Sequence, residues 1–254
     1  MYRFFANEDF VKDNQIFIIG EDKNHILNSI RMKIHENTEI VVNKKIFLCE
    51  LYEINKNNVI FNILKELKSD TEPAMRIHLI QCVPKMDKFD FIIQKAVELG
   101  VYSIIPFISE RTVVKIKQGK EEDKLKRWNK ISKEAAMQSK RNIIPKIEKI
   151  IDFNTLLDFI KDKDNVIICY EEELYDKSYF DFINHDIKDV YVIIGFRNSK
   201  DGTKPGARRV NSVSKSSSRS WPSSSLPQDV PCAIFLLLHL HFTKRRRLSQ
   251  TAGD

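Results

Sequence analysis

Lys85 and Arg111 hold positions from which a cation could do chemistry. Lys85 follows the apolar run Ile77 to Val83, and Arg111 follows Tyr102 to Ile108. In open α/β sheets, sites collect on the loops just past the carboxyl ends of the strands. A planar guanidinium such as that of Arg111 can clamp a phosphate or a carbonyl oxygen through two donors at once. Lys126, Lys130 and Lys133 are spaced four and three apart, so a helix carries them on one face. With Arg127 and Arg141 they make a basic stripe, which suits a polyanion and suits plain solvation equally. Arg31 and Lys33 end a short helix expected over Asp22 to Met32. They fit phosphate contacts, and they fit solvated helix-end charges helped by the dipole. Glu98, in Glu-Leu-Gly, reads as an ion-pair or hydrogen-bonding residue before it reads as a base.

Other chemistries have no support. No Gly-x-Gly-x-x-Gly, P-loop or His-Glu-x-x-His occurs. Only 7 glycines are present, with no cluster after an early strand, which argues against a Rossmann methyltransferase or dehydrogenase. Cys49, Cys82, Cys169 and Cys232 lie far apart and read as reduced thiols of a cytosolic protein. His239 and His241 form a His-x-His inside an apolar run and get little weight as ligands, so no metal is implied.

The elements that must position these groups fall into two kinds. Residues 1–67 are mainly short strands: Ile16 to Ile19, Glu39 to Val42, Ile46 to Leu51 and Val59 to Leu64 are β-branched or apolar runs separated by Asn- and Lys-rich turns. So many strands in so short a span predict a small β-barrel. Lys68 to Pro73 reads as a linker. From Ile77 onward strands alternate with helices, predicting an α/β domain with a mostly parallel sheet. Its first helix should bury Phe89, Ile92, Ile93, Ala96 and Leu99 and stop at Gly100; a second should start at the acidic Glu121-Glu122-Asp123 and bury Leu125, Trp128 and Ala135. Further strands are expected at Lys146 to Ile150, Val166 to Tyr170 and Val190 to Ile194.

Charge divides the 254 residues further. The formal net charge is +7, but residues 196–254 supply +8, with seven Arg and four Lys against Asp201, Asp229 and Asp254. The preceding 195 residues therefore sum to −1. Within them, residues 76–149 hold 17 basic against 9 acidic residues, while 150–195 hold 4 against 11. A polyanion would thus meet the middle of the chain. Composition also breaks just after Gly195: residues 1–195 contain 32 Ile and 7 Ser, and 196–254 contain 1 Ile and 11 Ser. The Ser- and Pro-rich stretch Asn211 to Pro231 predicts a flexible tail. A natural disordered tail and a shifted or fused reading frame are the two open origins; the abruptness of the change points to the second. The start of the chain carries Glu8 and Asp9 where an export signal needs an apolar core. The run Ala233 to Phe242 is about half the roughly 20 residues of a membrane helix. A cytoplasmic protein without membrane contact is expected.

The segments Gln81-Cys82-Val83-Pro84-Lys85, Ile92-Ile93-Gln94-Lys95-Ala96-Val97-Glu98-Leu99-Gly100-Val101, Pro106 to Thr112, Arg127-Trp128 and Lys133 to Arg141 occur in that order. Together with His25-Ile26-Leu27-Asn28-Ser29-Ile30-Arg31-Met32-Lys33, this series closely resembles the RsmE-type 16S rRNA (uracil-N(3))-methyltransferases over about residues 1–195. The resemblance implies a PUA-like β-barrel over 1–70, binding RNA, and a SPOUT-type α/β domain with a trefoil knot over 74–195, in a homodimer. It implies S-adenosylmethionine as cofactor and 16S rRNA in the small ribosomal subunit as substrate. Arg111 then becomes the catalytic candidate, steadying charge on the uracil oxygens. Tyr170, Glu171 and Gly195 become cofactor-binding candidates, and Arg31, Lys33, Lys85, Arg127, Lys130 and Arg141 RNA-binding ones.

The sequence departs from that pattern at one place. In the family the strand end runs on into Gly-Pro-Glu-Gly-Gly, and a later Leu-Gly-x-Arg-x-Leu-Arg-x-Glu-Thr segment completes the knot and cofactor cup. Here Gly195 is followed by Phe196-Arg197-Asn198-Ser199, and neither motif follows. The resemblance therefore implies an incomplete knot, an aberrant tail over 196–254 and weak or absent turnover by this chain. The competing reading is a non-catalytic RNA-binding protein that keeps the barrel and basic stripe but has lost the cofactor site.

Overall fold

β-branched and aromatic residues alternating with polar ones build the first sheet. In the computed structural model the described residues are 1–68, 71–84, 88–108, 119–163, 165–169 and 188–195. Lys85, Arg111, Tyr170, Glu171 and the expected flexible tail lie outside them. The strands are β1 (Arg3–Phe5), β2 (Val11–Lys12), β3 (Gln15–Ile19), β4 (Asn37–Val42), β5 (Lys45–Ile54) and β6 (Asn58–Leu67), in the order β1-β4-β5-β6-β3-β2. All pairs are antiparallel except β1 with β4, and the ladder ends at β1 and β2. Asn43 and Lys44 turn β4 into β5 with φ of +49° and +66°, the two left-handed residues of a tight hairpin. Phe4, Ile16, Ile40, Leu51 and Phe61 are fully buried in this sheet's core.

The helix expected over Asp22 to Met32 is shorter and irregular. Helix α1 covers Gly20–Asn24, and a wider π-helical turn, His25–Ile30, ends with Arg31 left-handed at φ +56°. The Met32 N–H reaches back to the Ile26 carbonyl at 3.1 Å, and both side chains are buried. Burying two residues six apart on this sheet is what a regular 3.6-residue turn does not provide.

The chain forms two compact units. The first holds Met1–Glu72 and Lys133–Ile144; the second holds Pro73–Ser132 and the chain from Pro145 onward. One cut between 70 and 74 therefore does not divide it, because a later segment joins the first unit. Arg3 explains that return. Its Nε donates to Glu39 at 2.8 Å, and its NH1 donates to Asn142 Oδ1 at 2.9 Å and to the Lys140 carbonyl.

The second unit contains β7 (Arg76–Cys82), α2 (Lys88–Glu98), β8 (Ser103–Ile108), α3 (Glu121–Gln138), β9 (Lys146–Ile147), β10 (Ile151–Asp152), α4 (Phe153–Ile160), β11 (Val166–Cys169) and β12 (Asp189–Ile194). The last residues of α3, from Lys133, belong to the first unit. The sheet is wholly parallel, in the order β10-β8-β7-β12-β11, with β9 also on β8. Leu156 of α4 packs against Ile80, Ile105, Phe107 and Ile193 on one face. Leu79, Ile104 and Val192, which alternate with these, are buried as well, so both faces are covered. Helix α2 buries Phe89, Ile93, Ala96 and Val97, with Ile92 and Leu99 half-buried, and ends as expected before Gly100 at φ +96°. Trp128 is core, meeting Phe89 edge-on at 4.5 Å.

The strand expected over Lys146 to Ile150 is shortened to β9, and a separate β10 follows beyond it; Pro106 supplies the reason. Ile104 O accepts from Glu148 N on the outer side of β8, and Phe107 O accepts from Val83 N on the inner side. By alternation Pro106 faces outward, and its missing N–H falls between the residues that pair with β9 and those that pair with β10.

Candidate functional site

The strand order sets where a site can form. From β7 the chain moves to β8 on one side, while β12 and β11 lie on the other. β7 and β12 are parallel neighbours, so their carboxyl ends lie side by side, and ligands of open α/β sheets bind outside such ends. Gln81 pairs in register with Ile194 there. Gly195 follows with φ +81°, and a Cβ on it would stand 2.8 Å from Cys82 Cβ and 3.6 Å from Gln81 Nε2. Only glycine fits so close an approach at a positive φ. Gln81 is 5% exposed, and its Nε2 donates to the Cys82 carbonyl at 3.0 Å. Its Oε1 is buried and has no hydrogen-bond partner among the described residues. An acceptor left over beside a backbone bare of side chain fits a bound group that brings an N–H or O–H donor. These residues therefore suit a polar organic cofactor. Among the described residues no three His, Cys, Asp or Glu are grouped to hold a metal ion.

Of the expected cofactor residues, Gly195 stands at this edge; Tyr170 and Glu171, like Arg111 and Lys85, lie outside the described residues. Arg31 and Lys33 are exposed in the first unit, and the Arg31 side chain has no hydrogen bond or ion pair among the described residues. On α3, Lys126, Arg127 and Lys130 are exposed, with Arg127 in an ion pair to Asp90. Such an exposed pair contributes little to stability.

Two members of the basic stripe are committed elsewhere. Lys133 Nζ lies 2.5 Å from Asp22 Oδ2. Arg141, expected to face RNA, is buried instead: its side chain is 4% exposed, with NH2 2.6 Å from Glu72 Oε2. Glu72 also accepts from the backbone N–H groups of Asn142 and Ile143. A buried guanidinium needs such a partner, and this one holds the returning segment in the first unit. Glu98 accepts from Gln94 at 3.1 Å and Lys95 at 2.8 Å, as its structural reading requires.

Sequence reasoning passed over Gln81. The signal was present, since a Gln inside the apolar run Ile77 to Val83 is a polar group that a buried strand must satisfy. Cys49 is inert: burial pushes its thiol up to about 12.

A second constellation lies at the opposite ends of the strands. His78 on β7 has Nδ1 2.7 Å from Ser103 Oγ on β8 and Nε2 3.0 Å from Asp189 Oδ1 on β12. The residue types are those of a hydrolase triad. Ser103 is only 6% exposed, however, and stands at the amino end of β8, whereas sites of open α/β sheets form past the carboxyl ends. The three groups join three adjacent strands, and Tyr191 stacks on His78 at 4.6 Å.

A family model of the RNA methyltransferase domain matches residues 71–196. The ribosomal RNA small subunit methyltransferase E of Bacillus subtilis is 36% identical over 158 residues, 61% of each chain. That of Mesomycoplasma hyopneumoniae is 37% identical over 171 residues, 67% of this chain and 72% of the relative. The crystal structure of the Neisseria gonorrhoeae methyltransferase E bound to S-adenosyl methionine aligns with a TM-score of 0.67 and 29% identity, over 76% of this chain and 78% of that one. These likenesses make this chain a member of the ribosomal RNA small subunit methyltransferase E family.

Proposed function

We propose that this chain binds S-adenosylmethionine at the carboxyl edge of β7 and β12 and directs its methyl group to N(3) of a uracil in 16S rRNA. The observation that carries the reading is Gly195, whose backbone turns at φ +81° where no side chain fits, at the point where the family's cofactor loop begins. In this reading residues 1–70 form a PUA-like, RNA-binding barrel, residues 74–195 a SPOUT-type domain, and the family's homodimer and knot belong with them in a cytoplasmic enzyme.

When bound, the cofactor supplies an electrophilic methyl group on a sulfonium. Gly195 would let it approach the backbone, and Tyr170 and Glu171 would be its further contacts. N(3) lies on the pairing edge, so the target uracil is unpaired or swung out of its stack. Arg111 stabilises the negative charge that spreads onto the uracil oxygens once the ring N–H has given its proton to water. Arg31, Lys33, Lys85, Arg127 and Lys130 hold RNA phosphates and set the register of the target. Alignment of N(3) with the methyl then supplies much of the rate. Arg141 has no place on this surface, since it is buried against Glu72.

Transfer of labelled methyl to small ribosomal subunits lacking the modification tests the reading. Label on uracil N(3) that depends on Arg111, and disappears in Arg111→Ala, is the expected result. Label on another base, or undiminished label in Arg111→Ala, overturns it.

A further inference from the structure

Gln81 carries a buried acceptor that no described residue uses. A buried amide oxygen without a donor is costly, so its place in a central strand suits a donor that the described residues do not supply. The orientation of the amide is fixed. Its Nε2 donates to the Cys82 carbonyl at 3.0 Å, and a flipped amide would set two carbonyl oxygens against each other. The free Oε1 therefore remains the unmatched atom. The other buried acceptor without a partner among the described residues, Asn58 Oδ1, belongs to the first unit.

We propose that Gln81 is a cofactor-binding residue whose Oε1 accepts a hydrogen bond from the adenosine half of S-adenosylmethionine, through a ribose hydroxyl or the adenine amine. The inference rests on the function proposed above and names one contact within it. The near-complete burial of Gln81 selects the donor. A neutral hydroxyl or amine enters such a place for the loss of its water alone, whereas the cofactor's ammonium group would also need a counter-charge. Gly195 keeps the neighbouring space open, since its missing Cβ would stand 3.6 Å from the Gln81 amide nitrogen.

Calorimetric titration of the full chain with S-adenosylhomocysteine and with 5′-methylthioadenosine tests this, alongside melting of the free protein. The first ligand has every donor of the cofactor; the second has the adenosine half without the amino acid. Gln81→Met keeps the length of the side chain and removes both the unmatched acceptor and the Nε2 donor to the Cys82 carbonyl, two changes of opposite sign in the free protein. The expected result is an affinity for both ligands lower by the same factor, roughly three- to tenfold, with a melting temperature of the free protein little changed. A melting temperature that falls with the affinity shows a structural role and overturns the proposal. Unchanged affinity for both ligands overturns it, as does a loss confined to S-adenosylhomocysteine, which puts the donor on the amino acid. Failure of the wild-type chain to bind either ligand overturns the cofactor reading and the Gln81 contact together. Wild-type binding that survives Gln81→Met removes the contact alone.

Discussion

Arg3 and Asn142, 139 residues apart in the chain, meet in the first unit with NH1 of Arg3 2.9 Å from Asn142 Oδ1. Next to them Arg141 is buried against Glu72, which also accepts the N–H of Asn142 at 2.7 Å. The N-terminal strand and the segment after α3 are thus joined by charges whose remaining donors point at carboxylates and carbonyls. Removing one carboxylate strands a cation in a place with little water.

Glu72→Ala should therefore cost about 3 kcal/mol of stability, because the buried Arg141 loses its carboxylate. Urea denaturation followed by far-UV circular dichroism measures it. A loss below about 1 kcal/mol, the range of a surface ion pair, would show that the pair is dispensable.

The exposed cations should behave differently. Arg31→Ala with Lys33→Ala should weaken RNA binding and lower the slope of log affinity against log salt by about 1.4, two charges at about 0.7 each on single-stranded RNA. Arg127→Ala with Lys130→Ala should act alike. Fluorescence anisotropy across a salt series reads both; a slope unchanged in either double variant removes that pair from the RNA surface.

Asp189 should govern part of the acid limb of stability. Burial pushes its carboxyl upward, but hydrogen bonds from His78 and Arg76, with the charge of Arg76, outweigh that and hold it below its ordinary 3.8. A carboxyl depressed in the fold stabilises above its unfolded value, and that contribution is lost as pH falls below about 4 through the folded value. Urea midpoints measured at about pH 6 and about pH 3 should fall more steeply in the wild type than in Asp189→Asn. Parallel losses would mean that other groups set the acid limb.

Gly195→Ala separates close approach from backbone strain when compared with Gly20→Ala. Both glycines have positive φ, but a Cβ meets nothing within 4 Å at Gly20 and meets Cys82 Cβ at 2.8 Å at Gly195. Gly20→Ala should cost about 1 kcal/mol, from φ alone, and Gly195→Ala about 3 kcal/mol. Equal losses in thermal or urea melts would indicate that the edge of β12 relaxes and that the approach is not tight.

Turnover of this chain should be weak, because the two motifs that complete the family's cofactor cup are absent after Gly195. Placing Gly-Pro-Glu-Gly-Gly and the rest of a family C-terminus after Ile194 should raise methyl transfer by several orders of magnitude, since aligned binding supplies much of the rate. Robust transfer by the 254 residues as they stand would show that the present tail supplies those contacts.

The periodicity of the sequence was enough to fix most elements. Runs such as Ile77 to Val83 and Val190 to Ile194 are apolar on both faces, which suits a parallel sheet covered on both sides. The glycine at position 100 stopped its helix for a local reason, and so did the turn at Asn43-Lys44. The resemblance in the motif series identified the family, because its residues are read along the chain. What the chain could not disclose is set by contacts between distant residues. Arg141 looked like part of a helix-face stripe, and only the fold showed Glu72, 69 residues away, waiting for it. The return of Lys133–Ile144 to the first unit depends on Arg3 near the start of the chain. The orphan oxygen of Gln81 appears only when β12 lies beside β7, since burial and hydrogen-bond satisfaction are properties of neighbours in space, and linear spacing carries no record of them.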